Sequence, residues 1–364
     1  MKDYHYLILV FCLLTVLIGV LYKYPDIIWK LITVFVPDSW PVQPVSLSST
    51  EADETYKVDA VFTWVDSSDP EWKRSKHRRL HGSVDSKPTD NDLNRWTDPD
   101  CPEAEIELSL ELLLKNAPWI NRIYILTARA QSPKCLVTNP NIAKESDKIE
   151  VVHHDQIWED PSGGLPVFNS HAIESQLHRI PGLQERFLYL NDDVFIVKPV
   201  TRANWFIDGK PILQPHRYQF YRLNIPDTIL KHNTRGGGWP HQKAWKNLIK
   251  LLSHRPIYVN TEQPQSLTKS VLENALDNNT ENKVIATKNS PFRSEKDIPP
   301  VGYSLNKGVS NGTVVLGKSN ANKTQSLCDV ANTPIHPDTT FVCINVADHI
   351  DREVETLRKK LGIR

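Results

Sequence analysis

The sequence predicts an α/β fold with a mostly parallel sheet and helices on both of its faces. Short runs rich in β-branched and aromatic residues, which favour strands, alternate with stretches whose apolar residues recur at helical spacing. Two of the strand runs end in acidic residues, which is typical of α/β sheets whose ligands bind beyond the carboxyl ends of the strands. At 364 residues, the chain is long enough for one large domain or two small ones.

The predicted elements follow one another along the middle of the chain. Strands are predicted at 58–65, 122–127, 149–153 and 187–190. Helices are predicted at 103–115, 170–178, 242–252 and 348–360. Pro118 and Pro181 end the first two helices, because proline cannot continue a helix. After Trp205 the periodicity weakens, and the last two helices are the elements that it still supports.

Acidic residues follow two of the predicted strands. Asn191, Asp192 and Asp193 interrupt an apolar run, and Asp66 follows the first strand in the same way. Adjacent carboxylates at the end of a buried strand are costly unless a cation offsets their desolvation. A divalent cation, Mg²⁺ or Mn²⁺, is therefore the predicted cofactor. The alternative is that the Asn-Asp-Asp sequence simply forms the turn of a hairpin.

The charge balance argues against a nucleic-acid partner. Acidic and basic residues number 43 each, so the chain has no net field that would attract a polyanion. One basic run, residues 73–79, follows the first acidic strand end. We interpret it as a solvated helix face, and contact with substrate phosphates is the alternative.

The N-terminal region is predicted to hold the chain on a membrane. Residues 6–22 are uncharged and, at 1.5 Å per residue, would span roughly 25 Å as a helix. A cleaved signal peptide is the alternative, but no small-x-small cleavage site follows. The predicted organisation is an anchor and juxtamembrane segment at 1–36, a stem rich in Pro, Ser and Thr at 37–57, and a catalytic domain at 58–364.

Glycan acceptor triplets and cysteines favour a lumenal catalytic domain. The triplets begin at Asn278, Asn311 and Asn322. Four cysteines lie outside the apolar span: Cys101, Cys135, Cys328 and Cys343. They would form two disulfides in a lumenal protein, with a pairing that the sequence does not fix; four free, buried thiols in a cytoplasmic-facing domain are the alternative. The expected location is a type II single-pass protein of the Golgi or another secretory membrane, or of the inner membrane in a bacterium.

Two long stretches carry a family resemblance. FTWVDSSDPEW at 62–72 and FNSHAIES, LHRIPGL and FLYLNDDVFIVKPV within 168–200 resemble the Stealth family of hexose-1-phosphate transferases. That family includes bacterial capsule polymerases, a fungal xylosylphosphotransferase and the lysosomal-enzyme GlcNAc-1-phosphotransferase. Residues 104–127, 291–297 and 341–346 resemble further family regions less closely. Glu111-Leu112 stands where the family usually has Arg-Ser, and Val346 stands where it usually has Asp.

The resemblance implies a nucleotide-sugar-transferase-like fold and a particular reaction. A sugar-1-phosphate would pass from a nucleotide-sugar donor to a hydroxyl of an acceptor glycan, either free or on a glycoprotein. A phosphodiester would form and a nucleoside monophosphate would leave. Two alternatives remain open: a metal-dependent glycosyltransferase that transfers the sugar alone, and a non-catalytic, membrane-anchored glycan-binding protein.

The resemblance also implies roles for individual residues. Asp192, Asp193 and Asn345 are the predicted metal ligands. His254, which precedes Arg-Pro after a predicted helix, would take the proton from the attacking hydroxyl. Arg293 would clamp phosphate, and Asp193 would act with both in catalysis.

Four further residues are predicted to bind substrate: Trp64, Asp66, His171 and Glu174. Each has a plainer alternative or a second role. Trp64 suits a core position, as strand tryptophans commonly do. Glu174 suits a metal ligand or a solvent-facing helix position, and His171 suits a residue that only fixes its loop.

Overall fold

The computed structural model describes residues 56–82, 103–160, 164–215, 217–218, 238–252, 258–259, 262–277, 281–318, 323–344 and 350–363. All of them belong to one compact unit within Pro44–Arg364. The predicted anchor and most of the predicted stem lie outside these ranges. Within the ranges, no helix has the length and apolar character needed to cross a membrane.

The strands are numbered in chain order. They are β1 (Val58–Thr63), β2 (Ile123–Thr127), β3 (Ile149–His153), β4 (Arg186–Asn191), β5 (Val194–Ile196), β6 (Phe206–Ile207), β7 (Lys210–Leu213), β8 (Arg217–Tyr218), β9 (Tyr258–Val259), β10 (Gln265–Thr268), β11 (Val315–Leu316), β12 (Thr324–Leu327) and β13 (Phe341–Ile344). The first four correspond to the four predicted strands, although β1 ends at Thr63 and the prediction extended to residue 65.

The helices are α1 (Pro70–His81), α2 (Ala104–Asn116), α3 (Cys135–Thr138), α4 (Pro140–Ala143), α5 (Ser170–Glu174), α6 (Gly238–Leu251), α7 (Lys269–Leu276), α8 (Asn282–Lys288), α9 (Pro300–Asn311) and α10 (Ile350–Lys360). The predicted helices at 103–115, 242–252 and 348–360 correspond to α2, α6 and α10. The predicted helix at 170–178 is shorter: α5 ends at Glu174, and a separate 3₁₀ turn follows at Leu177–Arg179.

The central sheet has five strands in the order β10-β4-β1-β2-β3. Strands β4, β1, β2 and β3 are parallel, whereas β10 runs antiparallel to β4 at the edge. The α/β class is confirmed, but the prediction of a mostly parallel arrangement is wrong. Of the nine described strand pairs, four are antiparallel. β6 and β7 form a hairpin with a tight turn, whereas β4–β10, β5–β13 and β8–β9 pair strands that are distant in sequence. The direction of those pairings does not follow from a local sequence pattern.

A buried carboxylate fixes the amino-terminal ends of the central strands. The residues of β1 and β2 are mostly apolar and almost wholly buried. Asp59 in β1 is also buried, but it is charged. Its Oδ1 accepts hydrogen bonds from Asn121 Nδ2 at 2.8 Å and from the Arg122 amide at 3.1 Å. Its Oδ2 accepts one from the Gln184 amide at 2.8 Å. These bonds satisfy the buried carboxylate and tie β1 to the segments that lead into β2 and β4.

Helix α2 packs between two apolar clusters. Ile106 and Leu110 face the central sheet, in a cluster that also includes residues of β1, β2 and β4. Leu108 and Leu112 belong to a second cluster with residues of β5, β13 and α10. The helix is therefore apolar on two sides, and it joins the central sheet to the small sheet β12-β13-β5.

Glu111 is a buried charged residue on this helix. Its Oε1 accepts hydrogen bonds from Asn139 Nδ2 at 2.9 Å and Asn141 Nδ2 at 3.3 Å. Its Oε2 pairs with the guanidinium of Arg358 on α10. The family's usual arginine is absent from position 111, and here an arginine from α10 lies against the carboxylate. The departure from the family pattern is therefore part of the packing of α10 on α2.

We expect Arg358→Ala to lower the free energy of unfolding by about 2–3 kcal/mol, because the change leaves the buried Glu111 side chain without its ion-pair partner. The loss is below that for a fully buried pair, since the side chain of Arg358 keeps 16% of its exposure. Urea denaturation measures it. The control is Lys359→Ala, whose partner Glu355 is exposed. Equal losses in both variants would contradict the prediction.

Asp277 forms a second charged cluster at the end of α7. Its carboxylate lies 2.9 Å from His178 Nε2, Arg179 Nη2 and Lys288 Nζ. Burial raises the pKa of Asp277, but hydrogen bonds from Lys288 and His178 outweigh that effect and lower the pKa to about 2. The ionised carboxylate is therefore more stable in the folded chain than in the unfolded one.

This pKa difference predicts a defined acid sensitivity. The folded pKa lies below the unfolded value, so the stabilisation is present above about pH 4 and is lost as the pH falls towards 2. It amounts to roughly 2 kcal/mol. Asp277→Asn should flatten the fall in unfolding free energy over that range, as measured by urea denaturation at several pH values. The exposed Asp338→Asn should leave the fall unchanged. An unchanged profile for Asp277→Asn would be evidence against the cluster.

Three of the four cysteines considered above are described as free thiols. Cys135 and Cys343 are buried and Cys328 is exposed. Two disulfides would require all four cysteines, so the three free thiols argue against that expectation. The alternative expected buried thiols, and Cys328 is exposed. Cys101 lies outside the described ranges. Of the three glycan acceptors, Asn311 is exposed at the end of α9. Asn278 and Asn322 also lie outside the described residues.

Candidate active site

The carboxyl ends of β1 and β4 lie side by side. Thr63 pairs in register with Asn191, the first residue of the Asn-Asp-Asp sequence. Between them is the hydroxyl of Tyr189, 3.1 Å from Thr63 Oγ1 and 2.9 Å from Asn191 Oδ1. The same hydroxyl lies 3.3 Å from Glu174 Oε1 on α5. Tyr189 thus connects both strand ends to α5, a role that the sequence did not reveal.

Glu174 lies near three other polar residues, which are Tyr189, His171 and Arg293. Burial raises the pKa of its carboxyl group, and the nearby charges of His171 and Arg293 only partly oppose that rise. The structure therefore brings together three of the residues that the family resemblance selected. The arrangement differs from a helix residue that simply faces solvent, because Glu174 accepts the hydrogen bond from Tyr189.

Arg293 lies on a loop that is bound directly to α5. Its Nη2 donates to Ser170 Oγ at 2.8 Å. Asn169, which caps α5, donates through Nδ2 to Asp297 Oδ2 at 2.9 Å and to the Phe292 carbonyl at 3.3 Å. The loop that carries the predicted phosphate-binding arginine is therefore fixed beside the end of β4. Its position follows from contacts across more than 120 residues of sequence.

His171 takes part in fixing the same loop. It is buried, and its Nδ1 lies 3.5 Å from Oδ2 of the buried Asp297. Asp297 Oδ2 also accepts from the Ser294 amide at 2.9 Å. The structure thus supports the loop-fixing role that was the alternative for His171, and its predicted contact with substrate stays a prediction.

Asp192 and Asp193 lie in the turn between two sheets. β4 belongs to the central sheet, whereas β5 pairs antiparallel with β13. The carbonyl of Asp193 accepts from the Ile344 amide at 3.2 Å, and its Oδ2 lies 3.7 Å from Cys343 Sγ. β13 thus holds the turn. Asn345 follows β13 directly in sequence, but it lies outside the described residues.

A third acid faces this turn. Burial and then the charges of Asp192 and Asp193 raise the pKa of Glu105, in the first turn of α2, well above its ordinary value. Burial and the charge of Asp193 raise the pKa of Asp192 to about 7. The three carboxyl groups therefore destabilise one another's ionised forms. Glu105 was missed from the sequence, because it looked like one of several acids that favour the start of a helix.

These carboxyl groups are chemically suited to a hard divalent cation, which prefers oxygen ligands and would offset their mutual repulsion. Asp192 and Asp193, with Glu105, are the residues available to hold it. Within the described part of the chain, however, no group of three His, Cys, Asp or Glu residues has the geometry of a metal site. The predicted third ligand, Asn345, falls outside that part.

The first acidic strand end forms a turn of its own. Asp66 Oδ1 accepts from the Ser68 amide at 2.8 Å and from Ser68 Oγ at 2.6 Å. Gln131 Oε1 accepts from the Asp66 amide at 2.9 Å, and Gln131 Nε2 donates to Asp69 Oδ2 at 3.0 Å. Asp69 in turn caps α1. This end of the site is therefore ordered by Gln131, which the sequence did not single out.

The remaining two predicted site residues are Trp64 and His254. Trp64 is only 4% exposed and belongs to the apolar cluster of the central sheet, which matches the core position that was its alternative. His254 lies outside the described residues, so its convergence with Arg293 stays a prediction.

Similarity to known proteins agrees with this architecture. Residues 56–84 match the model of Stealth protein CR1, conserved region 1, and residues 101–212 match that of Stealth protein CR2, conserved region 2. Both matched regions contain residues of the candidate site. The chain belongs to the Stealth family.

Two relatives and one solved structure illustrate the similarity. An exopolysaccharide phosphotransferase of Streptomyces coelicolor is 37% identical over 255 residues, which are 69% of this chain and 25% of that protein. A capsular polysaccharide phosphotransferase of Neisseria meningitidis is 35% identical over 201 residues, 55% of this chain and 49% of that protein. The chain thus spans half or less of these relatives. A galactosyltransferase solved with donor and acceptor sugar analogues is 10% identical, with 84% of this chain and 95% of that one covered and a TM-score of 0.41.

Proposed function

We propose that the chain transfers a sugar-1-phosphate from a nucleotide-sugar to a hydroxyl of an acceptor glycan. The observation that carries the proposal is the convergence of Arg293 with α5 beside the Asn-Asp-Asp end of β4. An arginine next to carboxylates suits a phosphate held between a guanidinium and a cation. The names of the two relatives, both polysaccharide phosphotransferases, support the same reaction.

The proposed reaction breaks one bond and forms another at the β-phosphorus of the donor. The acceptor oxygen bonds to that phosphorus, and the bridging oxygen leaves with the nucleoside monophosphate. The hydroxyl proton passes to a base, for which His254 is the proposed residue. Such a reaction depends on charge neutralisation and in-line positioning more than on covalent help from the protein.

The described site residues are proposed to provide this charge neutralisation and positioning. Arg293 binds the transferred phosphoryl group, and Ser170 orients the guanidinium. Asp192 and Asp193 are proposed to hold a divalent cation, Mg²⁺ or Mn²⁺, which would supply positive charge to the donor phosphates when bound. Asp66, Glu174 and His171 are proposed to contact the substrate beside the carboxyl ends of β1 and β4. Tyr189 keeps Asn191 and Glu174 in place.

The released nucleotide tests the proposal. The chain is incubated with a panel of nucleotide-sugars, an acceptor glycan and Mg²⁺ or Mn²⁺, and the nucleotides are separated by chromatography. We expect UMP or GMP, with a phosphodiester in the product by phosphorus NMR. UDP or GDP would instead assign the chain to the glycosyltransferases that transfer the sugar alone. No donor turnover with any pair would favour the non-catalytic binding protein.

We also propose that residues 1–36 anchor the chain and that the catalytic domain is lumenal. The proposal rests on the apolar run at 6–22 and on the glycan acceptor triplets, of which the exposed Asn311 is one. Expression in a eukaryotic secretory pathway, followed by glycosidase treatment, should increase the electrophoretic mobility. An unchanged mobility, with the C-terminus open to protease on the cytosolic side, would contradict this topology.

A further inference from the structure

Three aromatic side chains form a row beside the candidate active site. The rings of Phe168 and Phe292 stack, with centroids 5.5 Å apart and an angle of 13° between their planes. The ring of Trp72 meets that of Phe168 edge to face, at 5.4 Å and 76°. All three side chains are half-buried. The row begins at Phe292, the residue before Arg293, and it ends on α1.

The backbone beneath the row is fixed. The Phe168 amide donates to the Pro291 carbonyl at 2.7 Å, and Asn169 Nδ2 donates to the Phe292 carbonyl at 3.3 Å. Two of the rings are thus held by the same bonds that position the Arg293 loop. A surface built in this way needs little ordering when a ligand binds, which favours affinity.

Helix α1 extends the row with positive charge. Trp72, Lys76 and Arg79 are spaced four and three residues apart, so they share one helix face. Lys76 Nζ lies 5.2 Å from the centre of the Trp72 ring. The helix holds five lysines and arginines against one glutamate, although the whole chain has no net charge. Two of these cations, Lys76 and Arg79, lie on the helix face that carries Trp72.

We propose that the row of Phe292, Phe168 and Trp72, together with the basic face of α1, is a binding track for a phosphodiester-linked glycan acceptor. This proposal rests on the proposed function and deepens it. Sugar rings have apolar faces that stack on aromatic rings, and each phosphodiester carries one negative charge for a lysine or arginine. A neutral glycan would use only the rings. A polymer with a phosphate in each repeat would use both parts.

The position of the track favours this occupant. It starts at the loop of Arg293, where the proposed reaction forms the phosphodiester, and it leads away from that point along α1. A growing product with sugar and phosphate in alternation would meet rings first and cations next. Such a chain would remain bound between successive additions.

The test compares binding and elongation in matched variants of the full chain. The probes are a synthetic hexose oligomer linked by phosphodiesters, neutral dextran of similar length, and vesicles of anionic lipid. The variants are Trp72→Ala and Arg79→Glu, of which Arg79 is exposed.

The matched controls are Trp119→Ala and Lys115→Glu. Trp119 is also half-buried with a cation, Arg202, over its ring at 5.9 Å, but it precedes the amino end of β2. Lys115 lies in the last turn of α2, as Arg79 does in α1.

We expect the wild-type chain to bind the phosphodiester oligomer and to prefer it to dextran, with weaker binding at high salt. Trp72→Ala should weaken oligomer binding roughly fivefold, and Arg79→Glu about tenfold. Both controls should bind as the wild type does. Equal binding of dextran, equal losses in the controls, or binding to vesicles but not to the oligomer would each overturn the track.

A second readout separates the track from the reaction itself. It is the ratio of kcat/KM for a long phosphodiester acceptor to kcat/KM for a monosaccharide glycoside, measured by release of nucleoside monophosphate. The ratio should fall in Trp72→Ala and Arg79→Glu and stay constant in the controls. An unchanged ratio would overturn the track while leaving the proposed reaction intact. Release of a nucleoside diphosphate by the wild type would overturn the reaction, whatever the oligomer binding shows.

Discussion

Asp193→Asn is expected to reduce sugar-phosphate transfer by about 10⁴-fold, or roughly 5 kcal/mol of transition-state stabilisation. The change removes one of the two adjacent carboxylates proposed to hold the cation, while it keeps the size of the side chain. The fold should survive, because the turn is held through the Asp193 carbonyl and the Ile344 amide. Thermal stability without metal should stay the same or rise, since the repulsion within the group of Glu105, Asp192 and Asp193 falls.

The measurement is release of nucleoside monophosphate at saturating Mg²⁺ or Mn²⁺, with thermal melting on the same samples. The matched control is Asp208→Asn, another aspartate in a turn between strands, where the positive φ of 49° is one that asparagine also adopts. That variant should keep its activity. Near-normal turnover of Asp193→Asn at saturating metal would remove Asp193 from the mechanism.

Arg293→Ala is expected to reduce transfer by about 10³-fold, because a preorganised cation would be lost from the phosphoryl group in the transition state. Arg293→Lys should recover only part of this loss, since lysine keeps the charge but not the bidentate geometry. The loss should be mainly in kcat. An interaction that forms only in the transition state changes kcat when it is removed and leaves KM nearly unchanged.

Steady-state kinetics with both variants measures this effect. Arg122→Ala provides the control, because Arg122 forms an exposed ion pair with Glu150 next to the amino end of β2. An increase in KM at constant kcat would show that Arg293 binds the ground state and the transition state equally, and would contradict the prediction. Full activity of Arg293→Ala would separate the Arg293 loop from the chemistry.

The sequence was sufficient for the parts of the fold that depend on local pattern. Apolar runs located β1 to β4, and helical spacing located α2 almost to the residue. The acids at the ends of β1 and β4 were located for the same reason, because parallel strands bring their carboxyl ends to one edge. The mixed sheet arrangement was missed, since short strands such as β5 and β6 carry too few residues for a pattern.

Other features depend on contacts between distant segments. α9 was missed because Gly302 and Gly308 lower helix propensity, yet a side chain at Gly302 would meet the Trp245 ring at 2.5 Å. Tertiary packing therefore determines a glycine there. Glu105 and Asp297 were overlooked for a related reason. Each is an ordinary acid in its own segment, and only the fold places it next to Asp192 or His171.

The junction of two sheets at Asp193 has a consequence for how the molecule is assembled. The strand pairing that holds this aspartate uses β13, and Cys343 is 150 positions further along the chain. Contacts of such long sequence separation form late, because a large loop must close first. During synthesis the matched regions 56–84 and 101–212 would emerge well before β13. A nascent or truncated chain that ends after β7 would therefore carry both aspartates without the strand that fixes them.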